Sequence, residues 1–385
     1  MKIKLSAKTL NAISDVSRDD WNALLPPCGA KDYHPFTDWD FLNALEISGS
    51  AYAQTGWKPL HIRLEDEKGR VRGVMPLYGK SHSQGEYVFD HGWADAAERS
   101  GLPYYPKLQC AVPFTPAPGP RLLAQSTDAK QALVDAAHNA LSQFNLSGLH
   151  LTFLQKDDLD VLKANDFLIR TDRQFHFINR GYKSFDNFLG SLTARKRKKI
   201  KSERRRACET VVIKRLRGDD IKPFHWDAFY QFYQNTSMRK WGQPYLTRNF
   251  FAAIHESMRE QVLLVLAYQD ETLIAGALNF IGGDTLYGRH WGALTHIPFL
   301  HFELCYYQAI EAGIDMELAR VEAGAQGEHK LARGYEPVPT YSAHQLAHPN
   351  LHNAVSDFLT RERKAVDAHI NVLSEFTPFR KGGPK

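Results

Sequence analysis

At 385 residues, 43% apolar and 24% charged, the chain is typical of a folded protein of two or three domains. No apolar run approaches the roughly 18 residues of a membrane-spanning helix, and no secretory signal is evident at the N-terminus. The four cysteines lie far apart without a CxxC pair, so we expect no metal site and no disulfide framework. Together these observations predict a cytoplasmic protein without integral membrane contact.

The positive charge is concentrated in one segment, although the net charge is only +5. Between Arg195 and Arg206, nine of twelve residues are basic and one is acidic, so the rest of the chain is slightly acidic. Such clustering is typical of a surface that binds a phosphate-bearing partner. A solvated helix surface is the alternative interpretation of the same run.

The first half of the chain alternates between predicted helices and strands. Thr37 or Asp38 can cap a helix that ends at Gly49. Four prolines between 113 and 120 impose an irregular, extended path. The other predicted elements are strands in WKPLHIRLED, RVRGVMPLYGK and GEYVFDHGW, a helix over 127–144, a strand over 148–154, a helix over 157–163 and a strand in FLIRTDRQFHFINR.

The second half begins with one predicted helix over 185–207. Its apolar residues recur at helical spacing from Phe185 to Leu192, and Ile200 continues the stripe into the basic run. The elements expected after it are a strand in TVVIKRL, helices in WDAFYQFYQNTSM and TRNFFAAIHESM, strands in QVLLVLAYQD, TLIAGALNFI and DTLYGRHWG, a helix starting at Pro298, a strand and loop in ARVEAGAQG, and a helix over roughly 350–373.

Two segments, one in each half, are similar to each other: RGVMPLYGKSHSQGEYVFDHGWADA and IAGALNFIGGDTLYGRHWGALTH. Each has a strand with glycine, a turn, an aromatic strand and a histidine beside tryptophan and glycine. The similarity predicts a duplicated α/β unit, although two unrelated hairpins can also produce it by chance.

Three strings in the second half, LYGRHWGAL, FLHFELCYYQAIEAGI and RVEAGAQGEHKLARGYEPVPT, resemble the second acyltransferase domain of the FemAB-like proteins. In the first half, HPFTDWDFLNALEISGS, PLYGKSHSQGEYVFDHGWAD and YYPKLQCAVPFTPAPGPRLL resemble N-terminal segments of the same family. The likeness extends from about residue 34 to residue 365. The family comprises predicted N-acyltransferases of peptidoglycan biosynthesis or recognition.

The resemblance implies an α/β (α+β) fold of two tandem GNAT-like acyltransferase domains with mixed sheets flanked by helices. Residues 1–170 would form the first domain and residues 171–349 the second, which includes the basic helix 185–207; residues 350–385 would form a C-terminal helix and tail that pack back. The better-understood Fem ligases transfer an amino acid from aminoacyl-tRNA to a cell-wall precursor amine. The resemblance therefore implies an N-acyltransferase, without a cofactor, whose partners are aminoacyl-tRNA and the amine of a cell-wall precursor or small peptide.

Such a transfer needs a neutral amine, a stabilised oxyanion and a proton for the leaving ribose hydroxyl, but no covalent enzyme intermediate. The sequence agrees, since it contains no GxSxG motif and no cysteine motif with a recognisable base nearby. It also contains no HExxH, GxGxxG or P-loop motif, which argues against a metallohydrolase, a Rossmann enzyme and an ATP-dependent enzyme. Two alternatives stay open. One is a GNAT N-acyltransferase that uses acetyl-CoA or another acyl-CoA, and the other is a non-catalytic RNA- or glycan-binding protein of the same fold.

The loop AGAQGEHKLARGY carries the candidate catalytic residues. Fem ligases have a phenylalanine-lysine pair at a comparable position; Lys330 matches the lysine, and His329 replaces the aromatic residue. By this resemblance, Lys330 is a candidate for holding the tRNA acceptor phosphate or the developing oxyanion. Glu328, or Glu322 on the preceding strand, is a candidate acceptor of the amine proton.

The segment RHWGAL, from Arg289 to Leu294, is expected between a strand and a helix, where GNAT enzymes have their pyrophosphate loop, R/Q-x-x-G-x-G/A. Arg289 and Gly292 fit this pattern, whereas Leu294 replaces the small last residue. A leucine there hinders the approach of backbone amides to a pyrophosphate, which argues against acetyl-CoA. Arg289 and His290 are candidates for substrate binding.

The other candidates lie in first-half loops and around the basic run. Loops on a rigid sheet are where binding groups usually lie. The substrate-binding candidates there are Asp90, His91, Tyr105, Lys107 and Arg121. The RNA- or phosphate-binding candidates are Arg195, Arg197, Lys198, Lys201, Arg205 and Arg239, with Trp241 as a stacking surface.

Overall fold

The structure is a computed structural model that describes residues 4–240, 243–324 and 327–380. Its strands are β1 Leu5–Leu10, β2 Trp57–Pro59, β3 His61–Asp66, β4 Val71–Met75, β5 Leu77–Lys80, β6 Lys107–Cys110, β7 Leu123–Ala124, β8 Gly148–Thr152, β9 Leu168–Ile178, β10 Val212–Arg217, β11 Val262–Gln269, β12 Thr272–Ile281, β13 Thr285–Ala293, β14 Arg320–Glu322 and β15 Tyr335–Leu346.

The helices alternate with these strands along the chain. They are α1 Arg18–Asn22, α2 Trp39–Ile47, α3 His91–Arg99, α4 Thr127–Gln143, α5 Lys156–Ala164, α6 Phe185–Ser191, α7 Ala194–Ala207, α8 Pro223–Lys240, α9 Arg248–Met258, α10 Leu300–Phe302, α11 Gln308–Asp315 and α12 Pro349–Glu375. A π-helical turn over Glu303–Tyr307 joins α10 to α11, and a 3-10 helix covers Glu328–Arg333.

The chain forms two compact units. Unit 1 comprises the residues before Cys28, Phe36–Asp172 and Pro339–Ala368. Unit 2 comprises Cys28–Pro35, Arg173–Val338 and the residues from His369 onward. Strands β9 and β15 and helix α12 therefore contribute residues to both units. The division into GNAT-like domains of residues 1–170 and 171–349, with residues 350–385 packing back, stays a prediction.

Unit 1 contains two groups of paired strands. In the first, β1, β3, β4 and β7 are antiparallel neighbours in that order. In the second, β8 pairs in parallel with β6 and antiparallel with residues 342–346 of β15, and β5 and β2 follow on the β6 side. Helix α4 is capped by the Ser126 hydroxyl and places Leu133 and Ala137 in the apolar core.

The strand arrangement of unit 2 positions the candidate site. Strands β10 to β13 are antiparallel neighbours, β13 pairs in parallel with β14, and β14 pairs antiparallel with β9. The parallel pairing lasts only from Thr285/Arg320 to Tyr287/Glu322. Beyond it β13 continues to Ala293 while β14 has ended, so the two strands separate after Glu322. The prediction of mixed sheets flanked by helices is confirmed.

The predicted single helix over 185–207 is wrong, because the chain is extended between α6 and α7. Leu192 and Thr193 have ψ angles of 157° and 148°, and Leu192 forms a β-bridge with Phe379. The Thr193 amide donates to the Pro378 carbonyl over 3.0 Å. The helical spacing of the apolar residues persists on each side, but these contacts with the C-terminal segment interrupt the helix.

Two other predictions about local structure are also wrong. GEYVFDHGW is not a strand, since residues 85–90 form a loop and His91 begins α3. The strand predicted in DTLYGRHWG is confirmed and continues to Ala293, so RHWGA lies within β13 and not in the loop expected from the GNAT pattern. The histidine-tryptophan-glycine residues of the two similar segments therefore differ in structure, although the glycine of each segment, Gly73 in β4 and Gly276 in β12, lies in a strand as predicted. Strands β1, β6, β7 and β15 were not predicted.

Candidate active site of unit 2

Glu322 lies at the point where β13 and β14 separate. It faces Tyr287 on β13 and His176 on β9 in the strand register. The residue is only 5% exposed, and burial raises its pKa to about 7, although the positive charges of Arg320 and Arg289 oppose this rise. A carboxyl group of this kind can gain or lose a proton near neutral pH.

Arg320 and His176 both lie next to Glu322, and Arg320 Nε is 3.6 Å from Glu322 Oε1. The Nδ1 of His176 is 3.8 Å from Glu322 Oε1, and its Nε2 is 3.3 Å from Gln174 Oε1. Burial, together with the charges of Arg320 and Lys330, lowers the pKa of His176 to about 3, so the ring is neutral near pH 7. A neutral imidazole next to a carboxyl group can accept or donate a hydrogen bond as that group titrates.

Lys330 lies in the 3-10 helix that follows the strand separation. It is 1% exposed, and its Nζ donates to the carbonyl oxygen of Gly324 over 2.9 Å. Burial lowers its pKa to about 7, and the charge of Arg289 contributes to the shift. Lys330 and Glu322 thus both titrate near neutral pH, and Arg289 acts on the pKa of each.

The other two candidates near this site differ in their surroundings. His290 packs edge-on against Tyr233, with ring centroids 5.2 Å apart, and burial lowers its pKa to about 3. Glu328 lies at the surface, with a side chain 57% exposed, 3.8 Å from Arg173 and 3.5 Å from His369. Its role as a proton acceptor stays a prediction, and the buried carboxyl group of this site is that of Glu322.

A cavity of about 700 Å³ lies between the basic helix α7 and the segments around α10 and Lys330. Five of its lining side chains carry cationic groups and three are aromatic or imidazole rings. Together with Ser202 and Glu203, the lining residues are Arg195, Lys198, Lys199, Arg206, Arg333, Phe299, Phe302 and His329. The basic helix and the 3-10 helix that carries Lys330 therefore line one cavity, although Glu203 and Arg333 in its wall are 130 residues apart in sequence. The five cationic side chains of this wall attract anions.

Hydrogen bonds and ring contacts hold the cavity wall in place. Arg333 stacks over the Phe302 ring at 3.5 Å and donates to the His329 carbonyl oxygen over 2.8 Å. The His329 ring is 2.9 Å from the Tyr306 hydroxyl. Phe299, which has a left-handed φ of 66°, lies under Arg206 at 4.8 Å. The wall therefore combines fixed cations with exposed and partly exposed rings.

The structure separates the predicted phosphate-binding residues into two groups. Arg195 and Lys198 line the cavity, whereas Arg197, Lys201 and Arg205 do not. Lys201 instead lies 3.2 Å from Asp186 in the first turn of α6. Arg239 is elsewhere, since it donates to the Ala293 carbonyl oxygen at the end of β13. Trp241 lies outside the described residues.

In unit 1, the structure brings three of the predicted substrate-binding residues together, namely Asp90, Tyr105 and the fully buried Lys107. Lys107 donates to Ser83 Oγ at 2.9 Å, to Glu86 Oε2 at 2.8 Å and to Asp90. The Tyr105 hydroxyl is 2.8 Å from Ser83 Oγ. The charge of Lys107 opposes the effect of burial on Asp90 and holds its pKa below the usual range, whereas burial raises that of Glu86 to about 7.

The two other first-half candidates do not join this cluster. His91 is exposed at the start of α3. Arg121 is fully buried, and its guanidinium donates to the carbonyl oxygens of Thr152 and Ala117, so it fixes the proline-rich segment. These hydrogen bonds satisfy the buried guanidinium, and the role of Arg121 in substrate binding stays a prediction.

Several residues of these sites were not predicted. They are Lys80, Ser83, Glu86, His176, Arg320, Lys199, Arg206, Phe299, Phe302 and Arg333. For His176 the sequence has a signal, because a histidine between Phe175 and Phe177 breaks the apolar pattern of a buried strand. Within the described ranges, no group of three histidine, cysteine or acidic side chains is placed to hold a metal ion.

These arrangements can be compared with known proteins. A family described as FemAB-like, of peptidoglycan biosynthesis/recognition, matches residues 12–381. The chain belongs to the FemAB-like family. No curated protein matches it significantly. No helix in the described part of this FemAB-like protein is long and apolar enough to cross a membrane.

Solved structures share the fold at low identity. FemX is 14% identical, with a TM-score of 0.53 over 89% of this chain and 98% of its own. L-PGS from Bacillus licheniformis is 9% identical, with a TM-score of 0.50 over 91% and 99%. The C-terminal domain of a putative lysylphosphatidylglycerol synthetase from Agrobacterium fabrum is 7% identical, with a TM-score of 0.53 over 90% and 96%. The predicted tandem GNAT-like fold of the FemAB-like protein is confirmed.

Proposed function

We propose that this FemAB-like protein is an N-acyltransferase that moves an aminoacyl group from aminoacyl-tRNA to an amine of a cell-wall precursor or small peptide. The cavity of unit 2 carries this proposal, because its cationic wall includes His329 and Arg333, which belong to the same 3-10 helix as Lys330. A phosphate-bearing donor held by the wall would present its reactive end near groups that titrate at neutral pH. Family membership and the names of FemX and the lysylphosphatidylglycerol synthetase support this chemistry.

In the proposed reaction, the amine nitrogen attacks the carbonyl carbon of the aminoacyl ester, and the ester oxygen of the ribose leaves. The carboxylate of Glu322 accepts the proton that the amine loses. The ammonium form of Lys330 and the guanidinium of Arg289 stabilise the oxyanion that forms in between. The proton finally reaches the leaving ribose oxygen, so no group of the protein is consumed.

Glu322 is the better proton acceptor of the two predicted carboxylates. A general base is most effective when its pKa is close to the pH of the reaction. The pKa of Glu322 is about 7, so near neutral pH part of the carboxyl groups is deprotonated and the carboxylate is still basic. Glu328 instead lies at the surface between Arg173 and His369. We therefore assign the base to Glu322.

The donor is the feature that most needs a test, and the helix provides two matched triple variants. Arg195→Glu, Lys198→Glu and Arg206→Glu reverse charges in the cavity, whereas Arg197→Glu, Lys201→Glu and Arg205→Glu reverse the same number outside it. Binding of bulk tRNA is measured by filter binding across a salt series. We expect the cavity variant to flatten the log–log salt slope by about two units, at about 0.7 per single-stranded phosphate, and the outer variant to flatten it less.

Equal slopes for wild type and the cavity variant would reject tRNA as the ligand of this cavity.

Acyl-CoA is the alternative donor, and two observations disfavour it. Gly292 lies in a strand against α8, where a Cβ would be 2.1 Å from the Phe232 carbonyl oxygen, and Leu294 is bulky and 46% exposed. Calorimetry with CoA and acetyl-CoA should show no micromolar binding; such binding would favour the CoA-dependent enzyme.

A further inference from the structure

One face of the paired strands β5, β6, β8 and β15 in unit 1 is polar and yet buried; we call it the polar face. Its side chains are at most 1% exposed, and the strand register pairs Lys80 with Lys107, Tyr78 with Gln109, and His150 with both Gln109 and His344. The alternate residues of these strands, such as Leu108, Leu149 and Leu151, belong to the apolar core. Buried polar groups are costly without partners, so the partners of the polar face determine what it can do.

The two lysines of the polar face share the carboxylate of Glu86. Its Oε2 accepts from Lys107 over 2.8 Å, whereas its Oε1 is 3.9 Å from Lys80 and has no hydrogen-bond partner among the described residues. Lys107 has a second carboxylate in Asp90, but the hydrogen bond of Lys80 goes to the carbonyl oxygen of Gln84, over 3.1 Å. Burial lowers the pKa of Lys80 to about 7. The ammonium group of Lys80 therefore lacks a close carboxylate.

The segment 86–89, which we call the lid, carries the Glu86 carboxylate over the polar face. Its first and last residues form no backbone–backbone hydrogen bond in the described ranges, although Arg170 donates to the carbonyl oxygen of Phe89 over 2.8 Å. Both ends of the lid are fixed, since the carbonyl oxygens of Gly85 and Asp90 accept backbone hydrogen bonds of 2.9–3.1 Å. The lid can therefore move away from the polar face while its flanking residues stay in place.

Two donors beneath the lid have no partner in the described part of the chain, namely Trp57 Nε1 and the Tyr78 hydroxyl. The Trp57 ring lies against the start of the lid, because a Cβ on Gly85 would be 3.4 Å from its Cζ2. The Nζ of Lys80 is 3.7 Å from the centroid of the same ring, and Tyr78 packs edge-on against it at 5.4 Å. A buried donor without an acceptor is costly, so this region favours a ligand that supplies oxygen acceptors.

The charges of the polar face select a carboxylate over a phosphate dianion. When Glu86 moves out with the lid, the ammonium groups of Lys80 and Lys107 and the carboxylate of Asp90 leave one positive charge. His150 adds no charge, since burial lowers its pKa to about 3. One carboxylate neutralises the site, whereas a phosphate dianion would leave an uncompensated negative charge in the interior.

We propose that the polar face of unit 1 binds the carboxylate group of a small ligand, which takes the place of Glu86 between Lys80 and Lys107 when the lid opens. In the closed arrangement Glu86 is an internal substitute for that carboxylate. The inference does not depend on the proposed acyl transfer, because all residues of this site lie in unit 1 and none lines the cavity of unit 2.

Titration of the full chain with sodium acetate and with sodium phosphate, against sodium chloride of equal ionic strength, tests the proposal. Thermal unfolding reports the binding, since a ligand of the folded state raises the melting temperature. We expect acetate to bind the wild type about tenfold or more tightly than phosphate does, and Lys80→Met to weaken acetate binding about tenfold or more, because a charged hydrogen bond is lost. Glu86→Gln removes the competing charge and should tighten acetate binding.

Chymotrypsin reports the lid in the wild type, because Phe89 is 51% exposed and offers a cleavage site there. Acetate should speed cleavage after Phe89 several-fold, since the lid is open when acetate is bound. Cleavage after Phe144, which is 39% exposed in unit 1, is the internal control and should not change. This measurement needs no variant, so it does not depend on whether the variants fold.

Glu98→Ala is the matched control variant, since Glu98 is exposed in α3 and its removal changes the charge of unit 1 without touching the polar face. It should bind acetate like the wild type, within twofold. Absence of acetate binding to the wild type, equal binding of acetate and phosphate, unchanged cleavage after Phe89, or equal effects of Glu98→Ala and Glu86→Gln would each overturn the proposal. Loss of tRNA binding in the unit 2 variants would leave these results unchanged.

Discussion

The carboxylate of Glu203 accepts a hydrogen bond from the guanidinium of Arg333 over 2.9 Å, and both side chains are buried in the wall of the unit 2 cavity. The same carboxylate accepts from the Tyr307 hydroxyl. Arg333 in turn donates to the carbonyl of His329, the residue before Lys330. The one acidic residue of the basic run therefore connects α7 to the segment that carries the candidate catalytic lysine.

Glu203→Ala should destabilise the protein by about 3 kcal/mol, because it leaves the buried guanidinium of Arg333 without its counter-charge. Urea unfolding measures the change. Glu209→Ala is the control, since Glu209 follows the same helix but is exposed, and it should change stability by less than about 0.5 kcal/mol. Similar small effects for both variants would mean that the Glu203–Arg333 pair does not stabilise the wall.

Glu322→Gln should change how stability depends on pH. Between about pH 4.5 and pH 7 the folded state of the wild type keeps the Glu322 proton while the unfolded state loses it, so stability falls as the pH rises. The free energy of unfolding of the variant lacks this decrease, so relative to the wild type it should rise by about 1–3 kcal/mol between pH 4.5 and pH 7. Unfolding midpoints at pH 4.5, 6 and 7.5 check the trend; a constant difference would contradict a raised pKa.

Lys330→Met should show the opposite trend at higher pH. Above about pH 7 the folded wild type has lost the Lys330 proton while the unfolded chain keeps it up to about pH 10, so wild-type stability rises through this window relative to the variant.

With aminoacyl-tRNA as donor, turnover of the Lys330→Met variant should fall by about 10²-fold or more because the oxyanion loses a partner. An unchanged rate would exclude Lys330 from the reaction.

Gly292→Ala should destabilise unit 2 by about 2 kcal/mol or more, because the added Cβ would lie 2.1 Å from the Phe232 carbonyl oxygen of α8. Gly190→Ala is the matched control in α6, where nothing lies within 4 Å of a Cβ, and it should be neutral or stabilising by about 0.5–1 kcal/mol. Thermal unfolding compares the two. If Gly292→Ala unfolds like the wild type, the packing of α8 does not require this glycine.

The sequence by itself determined the fold class and the order of most elements. An alternating apolar pattern predicted β8, a continuous apolar run predicted β11, and a helical pattern over 127–144 predicted α4. Local spacing suffices for these elements because the periodicity of side chains along a helix or a strand is set by the backbone of that element itself. The concentration of positive charge in α7 was also visible, since charge depends on composition alone.

Only the tertiary structure decided which residues form a site. Glu322 and His176 meet because β14 pairs with β9, two strands that are more than 140 residues apart in sequence. Arg333 and Glu203 meet in the cavity wall in the same way. The break at Leu192 also depends on a contact with Phe379 near the other end of the chain. The pKa shifts of Glu322 and Lys330 arise from burial, and burial is a property of the packed chain that no local pattern contains.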